Sequence, residues 1–486
     1  MTRPLAARVH RSGMVLSAAI TLLAAAAWAA HHAVQAAGYG DETGSRLAAV
    51  WGVTFVLLLA QTLMYHAERT RRPSARSRRQ LDALHVAILM PVYNEDSGYL
   101  RLGLESFLAQ TRRPNSVHVV DDGSTNGDYA AVRAWWNSAA AEAGIATTWI
   151  RQANAGKRHA QGAAVTASPD ADVYITVDSD SCLAPNAVEE ILLPFAKQRV
   201  QSVAGIVLAT NHRANLLTRI TDLWFTTGQL TDRSALSAMG SVLVNSGPLA
   251  AYRAAVVRDN LDSYLNETFM GRPVMFSDDS LLTLYALLRG KTVQQPSAVV
   301  FTALPERASH FARMYMRWMR GSTIRSLWRL RYLPVTGYAY WAHLIRWFTV
   351  ALSTTVIGWL LVIEPLKYGN RPPASFLLVP VLIGWAQALR YLGVIRSDER
   401  IRSRAVPWLL MPAAVLASWT ALRAMRWYGM ATCARTGWGT RQNGAEVTLG
   451  PPAAAPVDED TVTIPVVKLL DPDTERTLQI ALPGRA

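Results

Sequence analysis

Acidic residues follow short apolar segments at two points in the first half of the chain. Asp121 and Asp122 close one segment, and Asp178 and Asp180 close another. The latter two are two residues apart, so in an extended segment both carboxylates point the same way. Such a pair suits Mg²⁺ or Mn²⁺, which takes oxygen ligands and shares them with a phosphate. A solvated acidic turn is the alternative for the second pair alone, but the first pair favours a metal site.

A third acidic pair, Asp278 and Asp279, follows Ser277 and precedes an apolar, helix-like segment. Ser277 or Asp278 could cap that helix. One of the two acids could instead be a general base, which must lie within hydrogen-bonding reach of the proton that it removes.

Two basic residues, Lys157 and Arg158, follow Gly156 in a sequence that resembles the end of a phosphate-binding P-loop. A P-loop requires Ser or Thr where Arg158 stands, and glycine where Arg151 stands. The chain therefore is not a P-loop ATPase, and because it also lacks G-x-G-x-x-G, a dinucleotide site is disfavoured. Lys157 and Arg158 could still hold a diphosphate, and a solvated basic turn is the alternative.

Short apolar segments alternate with helix-like segments in this part of the chain. The predicted strands are His85–Val92, Val117–Val120, Thr147–Ile150 and Val173–Val177, and the predicted helices are Tyr99–Gln110, Tyr129–Glu142 and Gly156–Ala167. Such alternation predicts an α/β domain with a parallel sheet. Ligands of such sheets bind at the carboxyl ends of the strands, where the acids lie.

The composition is that of a membrane protein. Only 17% of the 486 residues are charged and half are hydrophobic, whereas a soluble domain carries about 25% charged residues. The net charge is +14, which fits an anionic membrane surface or a nucleic acid. The arginines cluster at the borders of apolar segments, so nucleic acid is not the expected partner. Two cysteines, Cys182 and Cys433, exclude a disulfide framework and a Cys-rich zinc module.

Two apolar segments near the N-terminus, Met14–Ala37 and Leu47–Tyr65, are each near the length of about 20 residues needed to cross a bilayer. Arginines precede the first segment and follow the second, whereas the loop between them has one. The positive-inside rule therefore places the N-terminus and the residues after Tyr65 in the cytoplasm. A cleaved signal peptide is the alternative for the first segment.

Three further apolar segments follow the α/β domain: Tyr338–Ile363, Ser375–Leu392 and Ala405–Leu422. The third has basic clusters at both ends and contains Pro412. We therefore expect four spans, with the third segment interfacial or re-entrant, and five spans is the alternative. In Arg307–Arg331, arginines alternate with aromatic and aliphatic residues, which predicts an amphipathic helix on the cytoplasmic membrane face.

These patterns divide the chain into six regions. They are two N-terminal membrane helices (1–79), a cytoplasmic catalytic domain (80–305), amphipathic interface helices (306–336), C-terminal membrane helices (337–430), a loop containing GWGTR (431–443) and a flexible cytoplasmic tail (444–486).

Several motifs resemble those of the processive family 2 membrane glycosyltransferases, and most closely those of hyaluronan synthases and chitin-oligomer synthases. They are PVYNE (91–95), VVDDGS (119–124), NAGKRHA (154–160), VDSDS (177–181), NSGPLAAYR (245–253), FMGRPVMFSDDSLLT (269–283), RW (317–318) and GWGTR (437–441). The resemblance implies a GT-A-like cytoplasmic domain, with a Rossmann-type nucleotide-binding sheet, inserted between transmembrane helices.

The resemblance also implies roles for individual residues. The UDP-sugar donor would be bound by Tyr93, Glu95, Asp121, Asp122, Lys157, Arg158, Asp178, Arg317, Trp438 and Arg441. The growing polysaccharide acceptor would be bound by Ser246, Gly247, Pro248 and Trp318. Asp178 and Asp180 would bind Mg²⁺ or Mn²⁺. Asp279, with Asp278 beside it, would be the catalytic base.

The chain departs from the family pattern in three places. Met314 stands where the family has a glutamine, Val244-Asn245 replaces a cysteine-containing segment, and the last two usual spans are replaced by a polar tail. Trp438 must be cytoplasmic if its loop closes over the nucleotide, which again favours four spans.

Three functions are therefore compared. The favoured one is an inverting processive synthase that polymerises UDP-N-acetylglucosamine, alone or with UDP-glucuronic acid, into an exported β-linked polysaccharide such as hyaluronan. The second is a non-processive membrane enzyme that adds one sugar to a lipid or short acceptor. It would not need the RW and WGTR motifs. The third is a transporter or receptor without catalysis, which the intact acids disfavour.

Overall fold

The computed structural model describes residues 4–39, 41–125, 129–369, 373–437, 445 and 447–449. In this part of the chain the strands are β1 (Ala7–Val9), β2 (Val86–Val92), β3 (Ser116–Asp121), β4 (Ala146–Arg151), β5 (Val173–Thr176), β6 (Ser181–Leu183), β7 (Val200–Ala209), β8 (Ala250–Arg253), β9 (Thr268–Phe269), β10 (Arg272–Pro273), β11 (Lys291–Thr302) and β12 (Val394–Arg396).

The α-helices of the same part of the chain are α1 (Gly13–Ala36), α2 (Asp41–Ala67), α3 (Ala75–Asp82), α4 (Ser97–Leu108), α5 (Ala130–Glu142), α6 (Lys157–Thr166), α7 (Ala187–Leu192), α8 (Leu216–Gly228), α9 (Ser234–Ala238), α10 (Ala254–Arg258), α11 (Leu261–Leu265), α12 (Asp278–Arg289), α13 (Ala308–Tyr332), α14 (Tyr338–Gly358), α15 (Leu378–Ala388), α16 (Ala405–Trp419) and α17 (Ala421–Ala431).

The domain between α2 and α13 is built on an eight-stranded mixed sheet in the order β4-β3-β2-β5-β8-β7-β11-β6. The half β4-β3-β2-β5 is parallel, as the alternation of strands and helices predicts. The other half is not wholly parallel, because β8 runs antiparallel to β5 and β7, and β6 runs antiparallel to β11. The four predicted strands are thus parallel, and β6 and β8, where no strand is predicted, make the sheet mixed. These two strands follow loops, and an antiparallel strand needs no crossover helix.

The centre of the sheet is covered on both faces, so strand β2 is apolar along its whole length. All seven residues of β2 are buried. Ile88 and Met90 point into the core shared with α4 and α5, whereas Ala87 and Leu89 point into the core shared with α6 and α12. This alternation follows from the two-residue repeat of a strand. Burial on both faces holds the strand ends rigidly, and the polar side chains that follow them lie at one rim.

Among the residues that the structure describes, five helical segments are long and apolar enough to cross a membrane: Gly13–Ala36, Glu42–Ala67, Tyr338–Tyr368, Ala374–Gly393 and Ala405–Ala431. They flank the sheet domain on both sides in sequence and include the apolar segments predicted above. The amphipathic helix predicted over Arg307–Arg331 is α13.

The ends of the last candidate segment both lie near the sheet domain. Its first helix follows β12, which pairs with β1, and β1 packs on the core of the sheet. Its second helix, α17, packs along α13, and beyond it the Thr436 carbonyl accepts a hydrogen bond of 3.1 Å from the Met275 amide. The helix axis is interrupted at Thr420, where φ is −110° and ψ is −91°. Four spans, rather than five, stays a prediction that this geometry favours.

Candidate active site

A cavity of about 530 Å³ lies at the carboxyl ends of β2, β3 and β5 and extends along α13. The predicted site residues that line it are Tyr93, Glu95, Asp122, Lys157, Asp178, Asp180, Ser246, Gly247, Pro248, Asp278, Asp279, Arg317 and Trp318. Asp121 and Arg158 do not line it. Trp438 and Arg441 lie outside the residues that the structure describes.

The segment after β2 is held in an unusual backbone conformation. Asn94 has φ of 44°, in the left-handed region that favours glycine. Its amide donates to Ser124 Oγ at 2.9 Å, and its side chain accepts from the Thr125 amide at 2.8 Å. The next residue, Glu95, accepts a hydrogen bond from Ser179 Oγ at 2.7 Å. The loops after three strands are thereby tied together, with Tyr93 left at the cavity wall.

The two acids at the end of β3 hold loops. Asp121 accepts a hydrogen bond from the Ser124 amide at 2.9 Å and lies 3.6 Å from Arg151. Asp122 is buried and accepts from the amides of Ala155 and Gly156 at 3.0 and 2.8 Å. Burial raises the pKa of Asp122, although these amides oppose the shift. Asp122 therefore fixes the turn that leads into α6 and so sets the position of Lys157.

Lys157 bridges two of the three acidic pairs. Its Nζ lies 2.7 Å from Asp178 and 3.1 Å from Asp278. Burial alone would lower the pKa of Lys157, but the two carboxylates raise it, so the side chain is a permanent cation. Gly247 packs against this pair, because a Cβ at that position would lie 3.1 Å from Lys157 Nζ and 3.2 Å from Asp178. The NSGP motif thus lies against the charged centre of the cavity.

Asp178 and Asp180 lie in a turn between β5 and β6 and not in an extended segment. The turn is closed by a hydrogen bond of 3.0 Å from the Ser181 amide to the Asp178 carbonyl. Both carboxylates nevertheless line the cavity. Asp180 accepts from Thr302 Oγ1 at 2.9 Å, at the end of β11.

Asp279 lies at the start of α12, next to a strained residue. Ser277 occupies the N-cap position of α12 with φ of 63°, but its side chain makes no capping hydrogen bond. Gly321 of α13 permits this conformation, since a Cβ there would lie 2.8 Å from the Ser277 Cβ. Strain of this kind is typical of active sites. Burial, with the charge of Asp278, raises the pKa of Asp279 to about 6.

Two aromatic rings form another part of the cavity wall. The rings of Trp318 on α13 and Phe225 on α8 are stacked, with centroids 5.7 Å apart and planes 23° apart. Both residues line the cavity, and Arg317 lies beside them. An aromatic surface holds a sugar ring without fixing its direction, because stacking is less directional than hydrogen bonding.

Arg158 is turned away from the cavity towards α13. Its guanidinium lies 2.7 Å from Glu267, which also binds Arg325 through two contacts of 2.7 and 3.0 Å and Trp328 Nε1 at 2.8 Å. Burial would raise the pKa of Glu267, but the two arginines lower it. This cluster fastens α6 and the segment around β9 to α13.

Replacing Glu267 with glutamine should lower the melting temperature of the protein by several degrees. Removal of one partner of a buried charge cluster costs about 3–5 kcal/mol, because the remaining charges stay buried without compensation. Thermal unfolding in detergent measures the effect. Asp259→Asn is the control, since its pair with Arg289 is exposed and worth at most about 1 kcal/mol. Equal shifts for both variants would contradict a structural role for the cluster.

Sequence reasoning missed several residues of the cavity wall. Phe225, His310 and Arg329 line it, but they lie outside the motifs or at helix positions with no distinctive neighbour. The sequence holds one signal for Arg329, which is its spacing on α13. Ser322 lies four residues after Trp318, and Arg329 lies seven residues after Ser322, so these three residues share one face of the helix.

Comparison with known proteins places the chain among sugar transferases. A family model described as glycosyl transferase family 2 matches residues 87–261. A hyaluronan synthase from Streptococcus pyogenes is 33% identical over 363 residues, which cover 74% of this chain and 83% of that protein. An N-acetylglucosaminyltransferase from Sinorhizobium fredii is 29% identical over 376 residues, covering 76% and 85%.

Two solved structures are also similar to this chain. The mannosyltransferase PcManGT from Pyrobaculum calidifontis, in complex with GDP-Man and Mn²⁺, has a TM-score of 0.46 and 19% identity, and the match covers 79% of this chain and 97% of that one. Residues 1–349 of TarS from S. aureus, in complex with UDP-GlcNAc, have a TM-score of 0.38 and 16% identity, with coverage of 72% and 90%.

Proposed function

The chain belongs to the family 2 glycosyltransferases, in the group of the hyaluronan synthases and other processive polysaccharide synthases, and we propose that it polymerises UDP-N-acetylglucosamine, alone or with UDP-glucuronic acid, into a β-linked chain that it passes across the bilayer. One observation carries the proposal. A single cavity joins the acids at the strand ends to the aromatic pair Trp318 and Phe225, and Asp279 lies on its wall.

The donor is proposed to bind at the strand ends. Tyr93 lines this part of the cavity, and Lys157 and Arg317 supply positive charge for the diphosphate. Asp121 and Asp122 contribute by shaping the loops that surround the nucleotide. Arg158 contributes indirectly, by fixing α6 through Glu267.

A divalent ion, Mg²⁺ or Mn²⁺, fits the donor set of this site. Among the residues that the structure describes, no group of three or more His, Cys, Asp or Glu side chains could hold a metal. Asp178 and Asp180 would therefore supply at most two ligands. That number suits an ion which keeps several waters and is shared with a substrate diphosphate. When bound, the ion would stabilise the negative charge that develops on the departing diphosphate.

The proposed reaction is a direct displacement at the anomeric carbon. Asp279 accepts the proton of the acceptor hydroxyl, the hydroxyl oxygen forms a bond to the anomeric carbon, and the bond from that carbon to the UDP oxygen breaks. The electron pair leaves with UDP, and the anomeric configuration inverts. The raised pKa of Asp279 suits this role, because a stronger base removes the proton more readily once it is ionised.

The rate of transfer should fall below about pH 6. Asp279 must be ionised to accept a proton, and burial together with Asp278 raises its pKa to about 6. At lower pH the fraction ionised, and hence kcat/KM, should fall about tenfold per pH unit. The measurement is initial UDP release from pH 5 to 8. His310→Gln is the control, because it removes a histidine that lines the cavity and leaves Asp279 in place. A flat profile, or loss of the acid limb in the His310 variant, would contradict the assignment.

One assay tests the function as a whole. Purified protein in lipid vesicles is incubated with Mg²⁺ or Mn²⁺ and UDP-N-acetylglucosamine, UDP-glucuronic acid or both, and the product is sized. Long chains from both sugars support a hyaluronan-type synthase, and N-acetylglucosamine oligomers support the chitin-type activity. A single added sugar in every condition would refute processivity and leave the non-processive enzyme.

The orientation is proposed to be cytoplasmic for the sheet domain, with four spans. The arginine distribution supports it, as does the contact between Met275 and Thr436, which returns the chain beyond α17 to the sheet domain. Labelling of single cysteines introduced at position 40 and position 436 in intact cells and in lysates tests it. Position 40 should react from outside the cell and position 436 only after lysis.

A further inference from the structure

One face of α13 runs along the cavity from the aromatic pair to a buried arginine. Trp318, Ser322 and Arg329 are separated by four and seven residues, so they lie on the same side of the helix. All three line the cavity. The helix therefore presents to a bound saccharide first an aromatic ring, then a hydroxyl, and then a guanidinium.

Arg329 is a buried cation without an acidic partner. It is 4% exposed, its Nη2 donates to the Leu243 carbonyl at 2.6 Å, and its Nε has no hydrogen-bond partner. It forms no ion pair with any carboxylate in the described part of the chain, whereas Arg325, one turn earlier, is paired with Glu267. A buried charge without compensation is costly. Its retention beside the cavity indicates that a ligand supplies the partner.

The charges around Arg329 make an anion the fitting ligand. Burial and the positive charges of Arg325 and Arg346 lower its pKa to about 9, which still leaves it protonated at neutral pH. His343 on the adjacent α14 also has a buried ring nitrogen, Nε2, without a partner. Asp279 is the acid that acts on Arg329, and it belongs to the catalytic centre. The donor diphosphate is proposed to bind at Lys157 and Arg317. The partner of Arg329 must therefore be a second anionic group.

We propose that Arg329 binds the carboxylate of a uronic acid unit at the end of the growing chain, and so makes the acceptor site selective for uronate-terminated chains. The inference rests on the proposed polymerase function and extends it to the substrate class. A planar guanidinium matches a carboxylate geometrically, and such charge-assisted hydrogen bonds are about twice as strong as neutral ones. A chain of neutral sugars would leave the cation without compensation.

The test separates the two half-reactions of an alternating polymer. Enzyme carrying nascent chains is freed of nucleotides and given one UDP-sugar, so that all chains end in either the uronic acid or N-acetylglucosamine. Single transfer of the other, radiolabelled sugar is then timed. Arg329→Met keeps the length of the side chain without its charge, and Arg331→Gln, an exposed arginine of the same helix, is the matched control.

Arg329→Met should slow transfer onto uronate-terminated chains by about ten- to a hundredfold, the size expected for one charged hydrogen bond. Transfer onto chains that end in N-acetylglucosamine should change less than about twofold, and Arg329→Lys should restore part of the lost rate. Equal slowing of both half-reactions, or none, would overturn the inference. A wild-type product of neutral sugars alone would overturn it and leave the polymerase standing, whereas no elongation with any UDP-sugar would overturn both.

Discussion

Replacing Asp279 with asparagine should reduce sugar transfer by about 10²–10⁴-fold while UDP binding changes little. A positioned base contributes a factor of this size, and an amide cannot accept the hydroxyl proton. Asp279 lines the cavity and, within the described chain, its side chain hydrogen-bonds only to the amide and hydroxyl of Ser280. The substitution therefore breaks no ion pair. The measurements are UDP release under saturating donor and UDP affinity by calorimetry.

The neighbouring acid provides the control for this experiment. Asp278 differs from Asp279 in having Lys157 as an ion-pair partner at 3.1 Å, and Lys157 and Arg158 lower its pKa against the effect of burial. Asp278 is thus paired with a cation and is not the proton acceptor. Asp278→Asn should retain at least tenfold more activity than Asp279→Asn. If Asp278→Asn were instead less active than Asp279→Asn, Asp278 would be the base.

The positions of the acids could be predicted from the sequence because they depend on local patterns. Short apolar segments mark buried strands, and the residues that follow parallel strands meet at one rim. For Asp178 and Asp180 the position at the cavity could be predicted, but the backbone conformation could not. They line the cavity as expected, but through a turn closed by the Ser181 amide, which no spacing argument specifies.

The sequence could not show that Lys157 lines the cavity whereas Arg158 points away from it. Consecutive residues on a helix point about 100° apart, so one of them can face the cavity while the other faces a neighbouring element. Which one does so depends on where α6 begins. That point is set by hydrogen bonds from the amides of Ala155 and Gly156 to Asp122, more than 30 residues earlier. The pairing of Trp318 with Phe225 is likewise a long-range contact without a local signal.

Replacing Lys157 with methionine should reduce kcat/KM for the donor by about 10²–10³-fold and destabilise the protein. The ammonium group is the shared counter-charge of Asp178 and Asp278, at 2.7 and 3.1 Å. Without it two largely buried carboxylates face each other, and breaking such pairs costs about 3–5 kcal/mol. The donor would lose a cation for its diphosphate at the same time. Transfer kinetics, UDP affinity and thermal unfolding are measured together, with Lys197→Met, an exposed lysine, as the control.

The double variant Lys157→Met with Asp278→Asn separates the two consequences. Neutralising Asp278 removes one of the facing charges, so the melting temperature should recover towards that of the wild type. Activity should not recover, because the diphosphate still lacks its cation and Asp178 still lacks its partner. If the double variant regains transfer as well as stability, Lys157 serves only to neutralise the acids, and the proposal that it binds the donor is wrong. If neither recovers, the two carboxylates do not interact through Lys157, contrary to the geometry of the site.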